Sequence, residues 1–326
     1  MKAALLLNVL VTEKPYPHKP SEDLNIYLKY IEKLFEKNVL ERSDKKAVLA
    51  IMLNIFFKKN IFDYGIIYIK DEIVGEGISS ILQESIPSHF EIYNERISNK
   101  IRIYDIIKKI KSRGYEWIYF CVNHDHIMVN NFKCIENFLS EIKEFPLNIT
   151  NNLSLVLSHH LEWINITNFK TPFFDFQNNL DLNFKLETNS FFIVKSNVVV
   201  LDSIQLFRSS FLLDILQKTK IEKLKRLEDL NDILYTYKKD HYLAIPKEEF
   251  LRHHDVYPHL DLRVNSKHSV TSIIPQVKLN KILAPSSKLN PQNITAMTEK
   301  YVYSAKQYKS KFIKYDDFRR IWPDLS

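Results

Sequence analysis

The 326-residue chain is 45% hydrophobic and carries a formal net charge of +7, which allows a sizeable buried core beneath a mildly basic surface. It contains four glycines, and neither the G-x-G-x-x-G dinucleotide fingerprint nor the G-x-x-x-x-G-K-[ST] phosphate loop occurs. Common dinucleotide-dependent oxidoreductases and P-loop NTPases are therefore disfavoured.

Cysteine usage and the first apolar run indicate the compartment. Cys121 and Cys134 are the two cysteines, and their spacing matches no zinc module. The apolar run that follows Met1 is too short to span a membrane and has no small-residue cleavage site. We expect a cytosolic protein that could associate peripherally with the inner face of a membrane.

The first part of the chain alternates between strand and helix patterns. An apolar run over 3–11 predicts a strand, and Pro15 and Pro17 end it. Ser21 has the position of a helix N-cap before a run with helical spacing. The next predicted elements are an apolar helix around 44–59, a strand over 63–69, a short helix over 79–84 and a strand over 90–93.

A further helix and strand complete this pattern. Ser98 opens the helix and Arg113-Gly114 closes it, with an inner face of Ile103, Ile106, Ile107 and Ile110. The strand over 117–122 is apolar throughout, as a central parallel strand should be. Alternating strands and helices predict a parallel sheet whose ligands bind at the carboxyl ends of its strands.

The second half is less regular. Residues 154–157 and 191–194 predict strands, and 215–239 predicts a charged amphipathic helix. Beyond about residue 250 the sequence is typical of loops, with prolines at 258, 275, 285 and 291, and it ends in a basic aromatic tail.

The strongest local signal is Asn123-His124-Asp125-His126, which follows the buried strand. A carboxylate with neighbouring imidazoles at the edge where a parallel sheet opens to ligand predicts a divalent-metal site. Asp at a helix start is also common, so Asp125 has the alternative role of capping the next helix.

These residues resemble a known family. The segment 94–100, the helix after it and the segment 115–125 look like the donor half of GT-A glycosyltransferases, in which such a strand ends in a D-x-D motif. The resemblance implies an α/β, GT-A-like fold with a mostly parallel central sheet flanked by helices and a less regular C-terminal acceptor region. It implies a nucleotide-sugar donor half over 1–135, an acceptor half of the same core over 136–260 and a basic aromatic extension over 261–326.

The same resemblance assigns roles around the donor. Asp125 is then the metal-binding carboxylate, with Asn123 where the first Asp of the motif usually stands. It places Thr12 and Glu13 at the nucleoside, Asp71 at the base, and Arg96 and Lys100 at the diphosphate, and a C-terminal histidine, His253 or His254, on the metal. The implied cofactors are Mn²⁺ or Mg²⁺ and a nucleotide-sugar donor such as a UDP-sugar. Each charged loop residue could instead be a solvated surface charge.

The acceptor hydroxyl needs a base, and Glu162 and Glu187 are the candidates; the sequence does not choose between them. No G-x-S-x-G nucleophile motif occurs, which disfavours a serine hydrolase.

The leading functional prediction is metal-dependent sugar transfer to a glycan or lipid-linked glycan. Two alternatives stay open, namely sugar transfer to modified bases of phage or viral DNA, and non-catalytic nucleic-acid binding. The tail suits nucleic acid or an anionic membrane equally, since it interleaves basic residues with aromatic ones. Its basic residues are Lys306, Lys309, Lys311, Lys314, Arg319 and Arg320, and its aromatic residues are Tyr301, Tyr303, Tyr308, Phe312, Tyr315 and Phe318.

Overall fold

A computed structural model describes residues 2–9, 45–69, 86–94, 103–121, 126–128, 132–156, 180–199, 204–219, 238–248, 251–253 and 289–306. The strands are β1 Ala3–Val9, β2 Gly65–Ile69, β3 Phe90–Asn94, β4 Trp117–Cys121, β5 His126–Met128, β6 Leu153–Val156, β7 Leu180–Glu187, β8 Phe191–Val198, β9 Ile204–Arg208, β10 Lys238–Pro246 and β11 Leu251–His253. The α-helices are α1 Lys45–Lys58, α2 Ile103–Ser112, α3 Cys134–Glu141, α4 Leu147–Thr150, α5 Ser209–Thr219 and α6 Pro291–Lys306.

The first four strands form the parallel part of a large sheet. β1 pairs in parallel with β2 and with β4, and β2 pairs in parallel with β3. The apolar runs predicted as strands in this part of the chain are all strands here, and β2 and β4 are buried at every position. The predicted helices around 44–59 and after Ser98 are confirmed as α1 and α2, while the helices predicted after Ser21 and over 79–84 lie outside the described residues.

Within the described residues, the sheet has nine strands in the order β3-β2-β1-β4-β9-β6-β10-β8-β7. Antiparallel pairs join β4 to β9, β9 to β6, β10 to β8 and β8 to β7, while β6 and β10 are parallel. The fold is therefore α/β with helices on a large sheet, as expected. The expectation of a mostly parallel sheet is wrong, because four of its eight strand pairs are antiparallel.

Helices cover both faces of this sheet. Alternate residues of β1 face opposite sides, so Leu5 and Leu7 join one core while Ala4 and Leu6 join the other. The first core lies under α1, α3 and α6, and the second lies under α2 and α5. The inner face predicted for α2 is confirmed, since its four isoleucines are all buried, and Gly114 follows the helix with a φ of +86°.

The close approach of neighbouring strands explains why residue 65 is a glycine. A Cβ atom on Gly65, the first residue of β2, would lie 2.5 Å from the ring of Phe90 and 2.9 Å from Cβ of Leu5. The absence of a side chain at this position therefore lets the parallel strands on either side carry large residues.

Two predictions for the second half of the chain are wrong. Residues 215–239 do not form one helix, since α5 covers Ser209–Thr219 and Lys238 and Lys239 begin β10. The region beyond residue 250 also contains a 16-residue helix, α6.

Two hydrogen bonds hold α6 in place. At the start of the helix the Asn290 side chain accepts a hydrogen bond from the Asn293 amide, and Asn54 of α1 donates to Thr298 of α6 over 2.8 Å.

Candidate functional site

The order of the parallel strands reverses at one point in the sheet, between β1 and β4. From β1 the chain builds β2 and β3 on one side and then returns to place β4 on the other side. In doubly wound sheets, ligands bind outside the carboxyl ends of the two parallel strands between which the strand order reverses. Here those strands are β1 and β4, and we call the edge at which they end the carboxyl edge.

Three strands of the second half also end at the carboxyl edge, namely β6, β10 and β7, the last because β7 and β10 both pair antiparallel with β8. β9 runs opposite to β4, and β6 runs opposite to β9, so β6 points in the same direction as β4. β10 is parallel to β6 and shares that direction. The sequence clusters that follow β1, β4, β6 and β10 therefore all leave the sheet at one edge, with β9 as the only strand between β4 and β6.

Most of the candidate residues lie just outside the described segments. These are Thr12, Glu13, Asp71, Arg96, Lys100, Asn123, Asp125, Glu162 and His254. The described strands still fix where several of these loops begin, because Asn123 and Asp125 are two and four residues after the end of β4, and Glu162 is six residues after the end of β6.

A second, two-stranded sheet brings two separate candidate segments together. β5 begins immediately after Asp125, and β11 ends at His253. The two strands pair antiparallel, with Met128 opposite Leu251, Arg252 opposite Ile127 and His253 opposite His126. His253 therefore belongs to the same structural unit as the segment after β4, although the two lie far apart in the sequence.

The strand that leads to Asp125 is firmly held. Trp117, Tyr119 and Cys121 of β4 are buried in the core beneath α1 and α3, and the ring of Tyr119 packs edge-on against Phe56 and Phe62. Burial raises the pKa of the Tyr119 hydroxyl, and its oxygen has no hydrogen-bond partner among the described residues. A strand fixed on both faces gives the following loop a rigid starting point.

Glu187 lies at the carboxyl edge but far from β1 and β4 along the sheet. β7 is an edge strand, five positions from β4 in the sheet, which corresponds to about 24 Å at the usual spacing of neighbouring strands. The Glu187 carboxylate lies 2.6 Å from Nζ of Lys247, which also donates to the carbonyl of Thr188. This ion pair holds the Glu187 carboxylate beside the turn between β7 and β8.

Two aromatic residues of the predicted tail, Tyr301 and Tyr303, differ in their exposure to solvent. Tyr301 is 1% exposed and belongs to the core between α6 and α1, whereas Tyr303 is 69% exposed. The assignment of Tyr301 to a nucleic-acid or membrane contact is therefore wrong, because its ring is already packed. The basic and aromatic residues beyond Lys306 lie outside the described residues.

A buried polar group in the second half of the sheet escaped the sequence analysis. Ser154 of β6, Gln205 of β9 and His241 of β10 are each fully buried. Gln205 Nε2 donates to Ser154 Oγ, which lies 2.9 Å from His241 Nε2. Burial lowers the pKa of His241 to about 3, with the charge of Lys239 acting in the same direction, so the ring is neutral. The sequence signal that could have revealed this group is a polar residue within an apolar strand pattern.

A second polar cluster lies near the amino ends of β2 and β3. The Glu91 carboxylate accepts hydrogen bonds from Lys109, Arg113, Tyr64 and Tyr93. Burial alone would raise the pKa of Glu91, but the hydrogen bonds from Lys109, Tyr93 and Tyr64 outweigh it and hold the value at about 2. The cluster ties α2 to the edge of the sheet opposite the carboxyl edge.

No protein-family model matches the sequence, and a search of curated proteins returns no significant match. Within the described segments, no helix is both long and apolar enough to cross a membrane. Those segments also contain no group of three or more His, Cys, Asp and Glu side chains arranged to hold a metal ion.

Proposed function

We propose that the chain is a metal-dependent glycosyltransferase of GT-A type, with its nucleotide-sugar site at the carboxyl ends of β1 and β4. The observation that carries this proposal is the reversal of strand order between these two adjacent, parallel strands. It supports a ligand site between the segments that follow these two strands, which contain Thr12 and Asp125.

The pairing of β5 with β11 supports the same assignment. Asp125 precedes His126 by one peptide bond, and His126 lies opposite His253 in the small sheet. The pairing supports a divalent-metal and diphosphate site that draws an aspartate and a histidine from distant parts of the chain. A bound divalent ion would neutralise charge that develops on the departing nucleoside diphosphate.

The chain's own residues would supply the remaining chemistry. Arg96 and Lys100 add fixed positive charge for the departing diphosphate. Glu162 is the better candidate for the base that removes the proton of the acceptor hydroxyl. It follows β6, which is two strands from β4 or about 10 Å, whereas Glu187 lies on the far edge strand and is paired with Lys247.

Thermal unfolding with nucleoside diphosphates tests the proposal. We expect UDP, GDP or CDP with Mn²⁺ to raise the unfolding midpoint of the wild-type chain, since a ligand at 100 times its Kd stabilises the native state by about 2.7 kcal/mol. Asp125→Asn should abolish the metal-dependent part of the shift. The control Asp105→Asn, at an exposed position on α2, should keep it. A well-folded protein that responds to none of the three nucleotides would refute the proposal.

A further inference from the structure

We propose that the turn between β7 and β8, residues 188–190, holds the small sheet of β5 and β11 in place through Glu141 and Lys247. We call the turn and these two side chains the clamp. The observation is that the segments leading out of β5 and into β11 both bond to this one turn. The role of the clamp as a set of positioning residues for the donor site rests on the proposed function.

The segment that enters β11 is bonded to the turn through Lys247. Its ammonium nitrogen lies 2.6 Å from Glu187 Oε1 and donates to the Thr188 carbonyl over 2.6 Å, and its backbone amide donates to the Ser190 carbonyl. The Lys247 side chain is 14% exposed, so solvent screens these charge-assisted bonds only in part. Three residues separate Lys247 from Leu251, the first residue of β11, so the position of Lys247 restricts where β11 can lie.

The segment that leaves β5 is bonded to the same turn through Glu141, the last residue of α3. The Glu141 carboxylate accepts hydrogen bonds from the Ser190 hydroxyl over 2.6 Å and from the Ser190 amide over 3.2 Å. α3 is also packed on the large sheet, since the ring of Phe138 lies edge-on against Phe191 of β8 and Trp117 of β4. Five residues separate β5 from α3, so this contact restricts the position of β5 as well.

The turn can hold both segments because its own shape is fixed. The Thr188 amide donates to the Phe191 carbonyl over 2.9 Å, and the Phe191 amide donates to the Thr188 hydroxyl over 3.0 Å. β8 is four positions from β4 in the sheet, or about 19 Å at the usual strand spacing. A contact at that distance therefore helps to set the position of β5, which begins directly after Asp125.

Hydrogen exchange of the full chain, followed by mass spectrometry of the peptides that cover β5 and β11, tests the clamp. Lys247→Met removes the charge-assisted bonds to the turn, so the amides of the small sheet should exchange about tenfold faster through local opening. Ser190→Ala should act in the same direction, because it removes the hydroxyl that donates to Glu141. Lys247→Arg keeps the cation and should restore most of the protection.

The matched control is Lys195→Met. Lys195 pairs with Asp240 over 3.0 Å and joins the same two strands, β8 and β10, further from the turn. This substitution should leave the exchange of β5 and β11 at the wild-type rate. Peptides that cover β1 and β4 should keep the wild-type rate in every variant. Ser190→Ala carries the test alone if circular dichroism shows that Lys247→Met does not fold.

Wild-type exchange of β5 and β11 in Lys247→Met and Ser190→Ala, or an equal acceleration in Lys195→Met, would overturn the clamp. The nucleotide experiment tests its role at the donor site. The Kd of whichever of UDP, GDP and CDP binds with Mn²⁺ should rise about tenfold in Lys247→Met and stay unchanged in Lys195→Met. An unchanged Kd despite faster exchange would overturn the positioning role. If the wild type binds none of the three nucleotides, the proposed function fails, and the exchange result still decides whether the turn holds the small sheet.

Discussion

Ser154 Oγ and His241 Nε2 lie 2.9 Å apart across the parallel strands β6 and β10, and neither residue is exposed to solvent. Gln205 donates to the same hydroxyl oxygen from β9, which leaves the hydroxyl proton available for a neutral imidazole. The three side chains thus join strands that are far apart in sequence through one buried hydrogen-bonded group.

This arrangement predicts acid sensitivity. The folded-state pKa of His241, about 3, is below the ordinary value of 6.5, so the unfolded chain binds the proton more readily between these values. The stability that the neutral ring provides is present above pH 6.5 and is lost progressively as the pH falls towards 3. From pH 7 to pH 5 the loss due to this residue is about 2 kcal/mol.

Urea unfolding at both pH values measures this loss. Between pH 7 and pH 5, the free energy of unfolding of the wild type should fall by about 2 kcal/mol more than that of His241→Gln. Ser154→Ala should retain most of the wild-type pH dependence, because burial remains the main cause of the low pKa of His241. Parallel pH profiles for the wild type and His241→Gln would show that the ring titrates normally in the folded protein.

The hydroxyl of Tyr119 leads to a prediction of the opposite sign. It is buried and has no hydrogen-bond partner in the part of the chain that the structure describes, whereas the hydroxyl of Tyr64 donates to Glu91 over 2.9 Å. Tyr119→Phe removes an unsatisfied polar group and should raise the free energy of unfolding by up to about 2 kcal/mol. Tyr64→Phe removes a bond to a charged acceptor and should lower it by about 1 kcal/mol. Chemical denaturation of the two variants compares them, and a loss of stability in Tyr119→Phe would indicate a partner such as a buried water.

Much of the first half of the fold follows from local sequence patterns. The strands β1, β2 and β4 are apolar runs bounded by polar residues or prolines, and α2 has four isoleucines at helical spacing. The carboxyl edge was predictable for the same reason, because the polar cluster after β4 follows directly on a buried strand.

The second half required tertiary information. β10 begins with Lys238, Lys239 and Asp240, and these charges continue the helical pattern of the preceding sequence. This segment is a strand because it pairs with β8, and an ion pair between Asp240 and Lys195 joins the two strands. The start of α6 is hidden by Pro291, which is compatible with the first turn of a helix because no backbone donor is needed there.

The site shows the same limit. The histidines 126 and 253 belong to different sequence clusters, and nothing local to either cluster specifies their pairing. Strand register between distant segments depends on the packing of the whole sheet, and here the burial of Met128 fixes one end of the small ladder. The register of β5 against β11 could therefore not be predicted from either segment alone.

Glu91 predicts a second pH-dependent contribution to stability. Its folded-state pKa of about 2 is below the ordinary value of 4.5, so the stability from its ionised form is present above pH 4.5 and is lost as the pH falls towards 2. Glu91→Gln should lower the free energy of unfolding at pH 7 by about 1–2 kcal/mol, after allowance for solvent screening at a carboxylate that is 26% exposed.

Unfolding at pH 7 and pH 3 checks this contribution. The difference between the wild type and Glu91→Gln should shrink at pH 3, where the wild-type carboxylate loses part of its advantage. Glu116→Gln is a suitable control, since the Glu116 side chain is 53% exposed and lies 4.0 Å from Arg208. A constant difference between the wild type and Glu91→Gln at both pH values would mean that the charge of Glu91 is not responsible.

The two tyrosines of α6 test whether this helix belongs to the core. Tyr301 is buried beside Ile294 and Met297, while Tyr303, two residues further on, is exposed. Tyr301→Ala should lower the free energy of unfolding by about 3 kcal/mol, because it removes a large packed ring and leaves a cavity. Tyr303→Ala should change it by less than about 0.5 kcal/mol, as surface substitutions usually do.

Equilibrium denaturation of the two variants gives the comparison directly, and their binding to anionic vesicles or to DNA adds a second measurement. If α6 is a packed helix, only the Tyr303 substitution can alter a surface contact without altering stability. Equal and small effects of the two substitutions on stability would show that α6 does not pack on α1. The hydrogen bond from Asn54 to Thr298 offers a third variant, since Thr298→Val removes its acceptor and should cost about 1 kcal/mol.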